Sequence, residues 1–251
     1  MNKPTTIKEV LVALDEIIEE SIVTNSRLGF FAYLYRRTTA EILKEVELGS
    51  FENNEQLQRM DVAFANLYID AYHDYKAGKP VSKCWAYSFV SADEKLSIIQ
   101  HILLGVNAHI NLDLGIATAA TMKGKDISDI ENDFNKVNDI LFNITNEMQN
   151  RLSRVSPLLF ILDMLIKNTD EQIIDFSMRK AREQSWNSTN YLWTLDDEQL
   201  PEAISNLDFI VYKFATILKN PKSIFIKFAL KCISFFEEKN ISKIINKLKE
   251  D

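Results

Sequence analysis

The stretch from Gln100 to Ala120, QHILLGVNAHINLDLGIATAA, constrains the fold more than any other part of the chain. At about 100° per residue its apolar side chains cover every direction around a helix, which is the pattern of a helix buried on all sides. Such a helix needs other helices around it. We therefore predict an all-α, multi-helix bundle with a buried central helix at about residues 92–122.

The rest of the chain fits that architecture. Apolar residues recur at steps of three and four, and alternating strand patterns bounded by turn residues are not found. Besides the central helix, helices are predicted after Thr6, up to Gly49, and at about 54–77, 130–152, 157–167, 171–194, 199–219 and 222–249. A length of 251 residues suits one large core, so residues 1–251 are predicted to form a single helical domain, with basic C-terminal helices from about residue 222.

Composition narrows the classes of function. The net charge of −7 argues against nucleic-acid binding, which needs a basic face. Cys84 and Cys232 stand far apart, and the N-terminal helix carries acids where a secretory signal would be apolar, so a cytoplasmic protein without a membrane span is predicted. The lysines near the C-terminus are interpreted as a solvated face, with a membrane-surface or partner helix as the alternative. They are Lys219, Lys222, Lys227, Lys231, Lys239, Lys243, Lys247 and Lys249.

Four polar residues interrupt the central apolar helix and form two pairs. His109 and Asp113 share one face, and Asn107 and Asn111 share roughly the opposite one. An imidazole and a carboxylate one turn apart can ligate a metal ion, or the carboxylate can orient the imidazole for proton transfer. The asparagines are candidates for contacting a ligand or for bonding between helices. Simple buried structure is the alternative for every member of the string.

Further ligands are expected on the helix that contains RMDVAFANLYIDAYHDY. There Asn66, Asp70 and His73 fall on one face at spacings of four and three. Bundle-core metal sites take ligands from facing helices in this manner. His109, Asp113, Asp70 and Asp61 are therefore the predicted metal ligands, and Asn66 is a further candidate for binding.

Two other polar groups are considered. Arg182, Glu183 and Trp186 lie on one stripe that can line a pocket, where Arg182 could pair with a buried carboxylate such as Asp113 or Asp70, or bind an anionic substrate. The alternative is a surface salt bridge beside core tryptophans. The second group, Tyr35, Arg36, Arg37 and Thr39, is interpreted as a solvated patch.

Three segments carry a family resemblance. RMDVAFANLYIDAY (59–72), LLGVNAHINLDLGIA (103–117) and AREQSW (181–186) resemble an uncharacterised bacterial helical family, domain-of-unknown-function family 5995. The resemblance covers most of the chain and implies a helical fold, but no activity. It directs attention to Asp61, Asn66, Asp70, Asn107, His109, Asn111, Asp113, Arg182, Glu183 and Trp186.

The spacing His109-x-x-x-Asp113 is also similar to a ligand pair of zinc-dependent phospholipase C and related helical nucleases. Three histidines are too few for their trinuclear zinc site. A one- or two-metal site completed by Asp70 with Asp61 or Asn66 is retained.

These patterns predict a metal-dependent enzyme, of hydrolase type, that uses Zn, Mn or Fe. His109, Asp113 and Arg182 are its candidate catalytic residues, and Asn66, Asn107, Asn111, Glu183 and Trp186 are its candidate cofactor-binding residues. A metal-free enzyme with His109 as general base and a module that binds a small apolar or anionic molecule are the alternatives, followed by a scaffold that uses the C-terminal helices. A small-molecule partner is expected, and a homo-oligomer is compatible with the sequence.

Overall fold

The computed structural model describes residues 3–162 and 178–250, and this part of the chain is helical without β-strands. The all-α prediction is confirmed. The predicted helical residues 163–167 and 171–177 lie outside the described residues. In chain order the helices are α1 (Ile7–Val23), α2 (Gly29–Glu47), α3 (Asn54–Lys76), α4 (Lys83–Val90), α5 (Ile98–Ala108), α6 (Leu114–Thr121), α7 (Glu131–Val155), α8 (Met178–Thr194), α9 (Leu200–Lys219), α10 (Ile224–Phe236) and α11 (Ile241–Lys249).

The central helix begins later than predicted. Ser91 and Glu94 have the spacing of a capping box, which favours a start near residue 92, but the Ser91 hydroxyl donates to the Tyr87 carbonyl at 2.7 Å at the end of α4. The capping box that opens α5 is formed by Ser97 and Gln100 instead. Ser91 and Ser97 are each followed three residues later by an acid or an amide, and the helix begins after Ser97.

A π-helical turn, His109–Asp113, joins α5 to α6. The Leu114 N–H donates to the His109 carbonyl five residues earlier, so the central helix holds one residue more than an ideal α-helical turn and continues to Thr121. By length and hydropathy the segment Ile98–Thr121 could cross a membrane. However, 83% of its most apolar 18-residue stretch is buried inside the fold, as in the core helix of a bundle.

The neighbouring helices enclose the central one. Helices α2 and α9 pack on α5, α3 and α8 pack on α6, and α1 lies across α2 and α3. Two glycines permit close approach: a Cβ at Gly105 would overlap the Phe31 ring, and one at Gly115 would lie 3.2 Å from the Ser188 Cβ. The prediction of a helix buried on all sides is therefore confirmed.

The helix predicted at about 222–249 is divided into two helices, α10 and α11. Helix α10 ends at Phe236, and the Asn240 side chain begins α11 by accepting the Lys243 N–H at 2.9 Å. Between them, the buried Glu237 accepts the Ile98 N–H at 2.9 Å and the Ser156 hydroxyl at 2.6 Å. These bonds to Ile98 in α5 and to Ser156 at the end of α7 fix the break between α10 and α11. The helical period of the sequence does not reveal such bonds.

Candidate functional site

The His109 and Asp113 side chains meet inside the π turn. His109 Nδ1 and Asp113 Oδ2 are 2.9 Å apart, and the Trp85 indole N–H donates to the same carboxylate oxygen at 2.9 Å. Burial lowers the pKa of His109 and raises the pKa of Asp113, because a low-dielectric interior disfavours both charged forms. The Trp85 bond opposes the change at Asp113. The pair is thus held in a fixed orientation by a third side chain.

Aromatic rings enclose the His109 imidazole. Phe64 stacks on it with ring centroids 3.6 Å apart and planes 10° apart, while Tyr35 meets it edge-on at 4.3 Å. Phe31, Tyr68 and Trp85 complete the enclosure. Among the residues that the structure describes, nothing bonds to the buried Nε2 atom. The imidazole therefore keeps one ring nitrogen unpaired in an apolar surrounding.

An apolar cavity of about 250 Å³ adjoins this enclosure, between α2, α3, α7 and the central helix. His109 and Tyr35 form part of its wall. The apolar lining includes Leu34, Ile42, Met60, Ile102, Leu103, Val106, Ile110, Val137, Ile144 and Met148. The cavity is thus a largely hydrocarbon-lined space with a polar region.

Asp61 also lies in the cavity wall, and it is 3% exposed. Burial raises its pKa to about 7, and the charge of Arg182 opposes this shift. Its Oδ2 atom has no hydrogen-bond partner within the described part of the chain. A carboxyl in this state can change protonation near neutral pH.

Arg182 is buried in the same wall. Its Nε donates to Asn138 Oδ1 at 2.6 Å and its Nη2 to the Phe134 carbonyl at 2.5 Å, with the guanidinium 4.3 Å above the Phe134 ring. Burial lowers the Arg182 pKa to about 9, against the opposing effect of Asp61. The carboxylate that acts on Arg182 is thus Asp61, and the predicted partners Asp113 and Asp70 were wrong.

The predicted four-residue metal set does not assemble. Asp70 is half-exposed and pairs with Lys3 at 2.6 Å, and the Asn66 amide donates to the Pro4 carbonyl at 2.9 Å. The physical reason is that α3 buries its aromatic face, so residues two positions beyond Phe64 and Tyr68 lie about 200° around the helix and point elsewhere. Within residues 3–162 and 178–250, no group of three or more His, Cys, Asp and Glu side chains is placed to hold a metal ion.

The asparagine pair holds the central helix in place. Asn107 donates to the Val211 carbonyl of α9 at 3.0 Å, and Asn111 donates to Asn107 Oδ1 at 2.9 Å. Neither side chain lines the cavity beside His109. Of the two interpretations of this face, the geometry favours bonding between helices.

Of the three predicted residues on α8, only Arg182 lies in the cavity wall. Glu183 is exposed, and Trp186 packs on Phe134 with ring centroids 5.0 Å apart. Neither is a wall residue of this cavity, and their contact with a bound group stays a prediction. A helical stripe about 100° wide is broader than the part of α8 that the cavity meets.

Sequence reasoning missed Tyr35 and Thr39, which are buried instead of solvated. Arg36, from the same patch, lies nearer the surface and bonds to Asp15 at 2.8 Å. The available signal was the spacing of Phe31, Tyr35 and Ile42, which places the tyrosine on the apolar face of α2. The four residues therefore lie on two faces of α2: Tyr35 and Thr39 are buried, and the two arginines lie nearer the surface.

Residues 7–221 match a family described as a family of unknown function, DUF5995. The chain belongs to the DUF5995 family. The matched span includes the His109–Asp113 pair and the whole cavity wall, and it ends after α9, before α10. Comparisons with curated proteins and with solved structures gave no match. The looser similarity to zinc-dependent phospholipase C gains no support, and membership of DUF5995 brings no activity.

Proposed function

We propose that this DUF5995 protein binds a small, mostly apolar molecule in the cavity beside His109. The supporting observation is that the wall residues include three buried polar atoms without partners in the described chain: His109 Nε2, Tyr35 Oη and Asp61 Oδ2. Buried polar groups are normally paired, since leaving one unpaired costs about 1–3 kcal/mol. Three of them around one cavity are what a polar group on a ligand would complete.

The cavity limits the size of the ligand. An apolar cavity of about 150 Å³ can hold benzene, so a cavity of about 250 Å³ suits a molecule of about ten non-hydrogen atoms. The hydrocarbon walls favour an apolar body, and the unpaired atoms favour a single hydroxyl or carbonyl group. Because His109 Nε2 is fully buried, a ligand would reach it only after a shift of Phe64 or Tyr35.

A second candidate is an enzyme in which His109 is a general base. An ionised Asp113 that accepts from Nδ1–H leaves the lone pair of the imidazole on Nε2, the atom nearest to taking a proton from a bound hydroxyl or water. Asp113 would then stabilise the imidazolium. The Trp85 hydrogen bond to Asp113 Oδ2 favours this ionised form, against the larger effect of burial, which raises the pKa of Asp113 and favours the neutral acid.

For the predicted metal-dependent hydrolase, the cavity offers fewer candidate metal ligands than the sequence indicates. Asp113 already bonds to His109, and Asp70 lies at the surface, so His109 Nε2 and Asp61 are the unpaired donors at the cavity. The use of Zn, Mn or Fe stays a prediction. Metal analysis of protein purified without chelator, and again after each ion is added, is the measurement for it.

Two matched probes test the proposed binding. The compounds para-propylphenol and para-propyltoluene have the same shape, but one carries a hydroxyl and the other a methyl group. Both are expected to raise the melting temperature, and the phenol is expected to bind more tightly, about fivefold, because one satisfied polar contact contributes about 1 kcal/mol. Isothermal calorimetry gives the two affinities.

Val137→Phe fills the cavity and is expected to abolish binding of both probes, while Val23→Phe on the exposed surface is the control. If Val137→Phe does not fold, Val106→Phe fills the cavity from the central helix. The proposal fails if neither probe binds the unaltered protein, or if a folded cavity-filling variant binds as well as the control.

A further inference from the structure

Helix α10 has two apolar faces. Ile226, Leu230 and Ile233 are buried in a cluster with Leu162. The other face, which we call the aromatic face, is exposed: Ile224 by 73%, Phe225 by 69%, Phe228 by 70%, Phe235 by 77% and Phe236 by 62%. A surface helix of a soluble protein needs only one apolar face, so a second one indicates an additional contact.

Positive charge surrounds the aromatic face. Lys222, Lys227 and Lys231 are exposed, and no acidic residue occurs from 221 to 236. The whole chain carries a net charge of −7, so this helix has the opposite sign to the molecule that bears it. The face therefore complements an anionic surface.

A basic cavity of about 680 Å³ lies at the C-terminal end of α10, beside Phe235. Arg27, Lys95, Lys231 and Lys239 contribute four cations to its wall. Its two acids, Glu237 and Glu238, accept backbone N–H groups, and the wall holds four cations to two acids. The cavity suits an anionic group such as a lipid phosphate.

We propose that the aromatic face docks on a bilayer that contains anionic phospholipids. Phenylalanines enter the boundary between headgroups and acyl chains, and lysines beside them remain at the anionic headgroups. A phosphate headgroup next to Phe235 occupies the basic cavity. This arrangement lies on the surface and does not span the bilayer.

A second copy of the chain is a poorer occupant. A symmetric dimer through this face would bring Lys222, Lys227 and Lys231 towards the same residues of the other copy. No carboxylate on this stretch of helix is available to neutralise them. Charge therefore favours the bilayer.

The surface is independent of the ligand cavity. Helix α10 lies beyond residue 221, where the family match ends, and the aromatic face shares no residue with the cavity wall beside His109. Failure of one proposal leaves the other standing.

Co-sedimentation of the full chain with vesicles tests the docking. Vesicles of phosphatidylcholine alone are compared with vesicles that also contain phosphatidylserine, at low and at raised salt. Binding is expected to need phosphatidylserine and to weaken with salt. The double variant Lys227→Gln/Lys231→Gln should bind at least about tenfold more weakly, since each lysine near an anionic surface contributes roughly fivefold.

The double variant Phe225→Ser/Phe228→Ser should lose binding although its lysines remain, and Tyr191→Ser, at an exposed aromatic position on α8, should bind like the unaltered chain. Substitutions at these exposed positions leave the core intact, and a circular-dichroism melt checks this. The proposal is overturned if the unaltered chain ignores both vesicles or if the phenylalanine variant binds equally well. It is also overturned if sedimentation shows a dimer that the same substitutions dissociate without any vesicle binding.

Discussion

The phenyl ring of Phe64 lies parallel to the imidazole of His109, with their centroids 3.6 Å apart. This contact excludes water from one face of the imidazole and helps to keep its charged form unfavourable. We expect Phe64→Ala to admit water and to bring the pKa of His109 back up towards its ordinary value. Loss of a buried phenyl group should also lower the free energy of unfolding by about 3–5 kcal/mol.

An NMR titration of the His109 ring protons measures this change. Phe89→Ala removes a ring of the same size that packs on Trp85 and makes no ring contact with the imidazole, so it is the control for lost volume. Equal shifts of the His109 titration in the two variants would show that Phe64 has no special role.

The raised pKa of Asp61 predicts a dependence of stability on pH. Below about pH 4 this carboxyl is neutral in both states; between about pH 4 and 7 the unfolded chain ionises it and the folded chain does not. The group therefore favours the folded state at low pH, and its contribution falls as pH rises, by up to about 4 kcal/mol at about 1.4 kcal/mol per pKa unit. Above about pH 7 the contribution stays constant.

Asp61→Asn removes this dependence. Urea unfolding of both proteins at several pH values gives the difference in free energy, which should move in favour of the variant as pH rises to 7. Asp70→Asn is the control, because its carboxylate is half-exposed and paired with Lys3. A difference between Asp61→Asn and the unaltered chain that is constant over this range would contradict the prediction.

Much of the fold was readable in the sequence because burial on all sides leaves a direct pattern. The central helix was predicted from the apolar run around Asn107 and His109, and packing confirmed it. Its start was misplaced because Ser91 and Ser97 both have capping spacing, and only the bond from Ser91 to the Tyr87 carbonyl distinguishes them. Helix boundaries depend on such bonds between elements.

The site was less predictable, since a helical period gives angles around one axis and not the rotation of the helix in the bundle. The spacing of His109 and Asp113 was sufficient to bring them together. Asp70 was assigned to the site because it shared a face with Asn66, yet the aromatic residues of α3 determined which face turns inward. Asp61, one turn before Phe64 and Ala65, is the acid that this rotation brings to the cavity.

Trp85 is expected to support the site from α4. Trp85→Phe deletes the N–H donor to Asp113, so the pKa of Asp113 should rise further and the stability should fall by about 1–2 kcal/mol. Trp193→Phe is a matched change, because that indole donates to the Met122 carbonyl at 3.1 Å. NMR of the His109 nitrogens should show an altered tautomer balance in Trp85→Phe. An unchanged balance would mean that the Trp85 bond has no effect on the His109–Asp113 pair.

The two central glycines are expected to respond differently to alanine. Either substitution improves helix propensity by about 1 kcal/mol. Gly105→Ala also forces the Phe31 ring away, at the cost of overpacking of about 1–3 kcal/mol, so that the net loss of stability should be about 0–2 kcal/mol. Gly115→Ala requires only a small movement of Ser188 and should be close to neutral. Urea unfolding of the two variants checks the ranking, which would be refuted by equal stabilities.

The extra residue in the π turn sets the spacing of His109 and Asp113. Removing one residue between His109 and Asp113 would restore a regular α-helical turn, because the bond from the Leu114 N–H to the His109 carbonyl would then span four residues, and Gly115 would still face Ser188. The same deletion would bring His109 and Asp113 to a spacing of three residues. A shortened chain is therefore expected to keep the contact of α6 with α8 and to change the geometry of the pair.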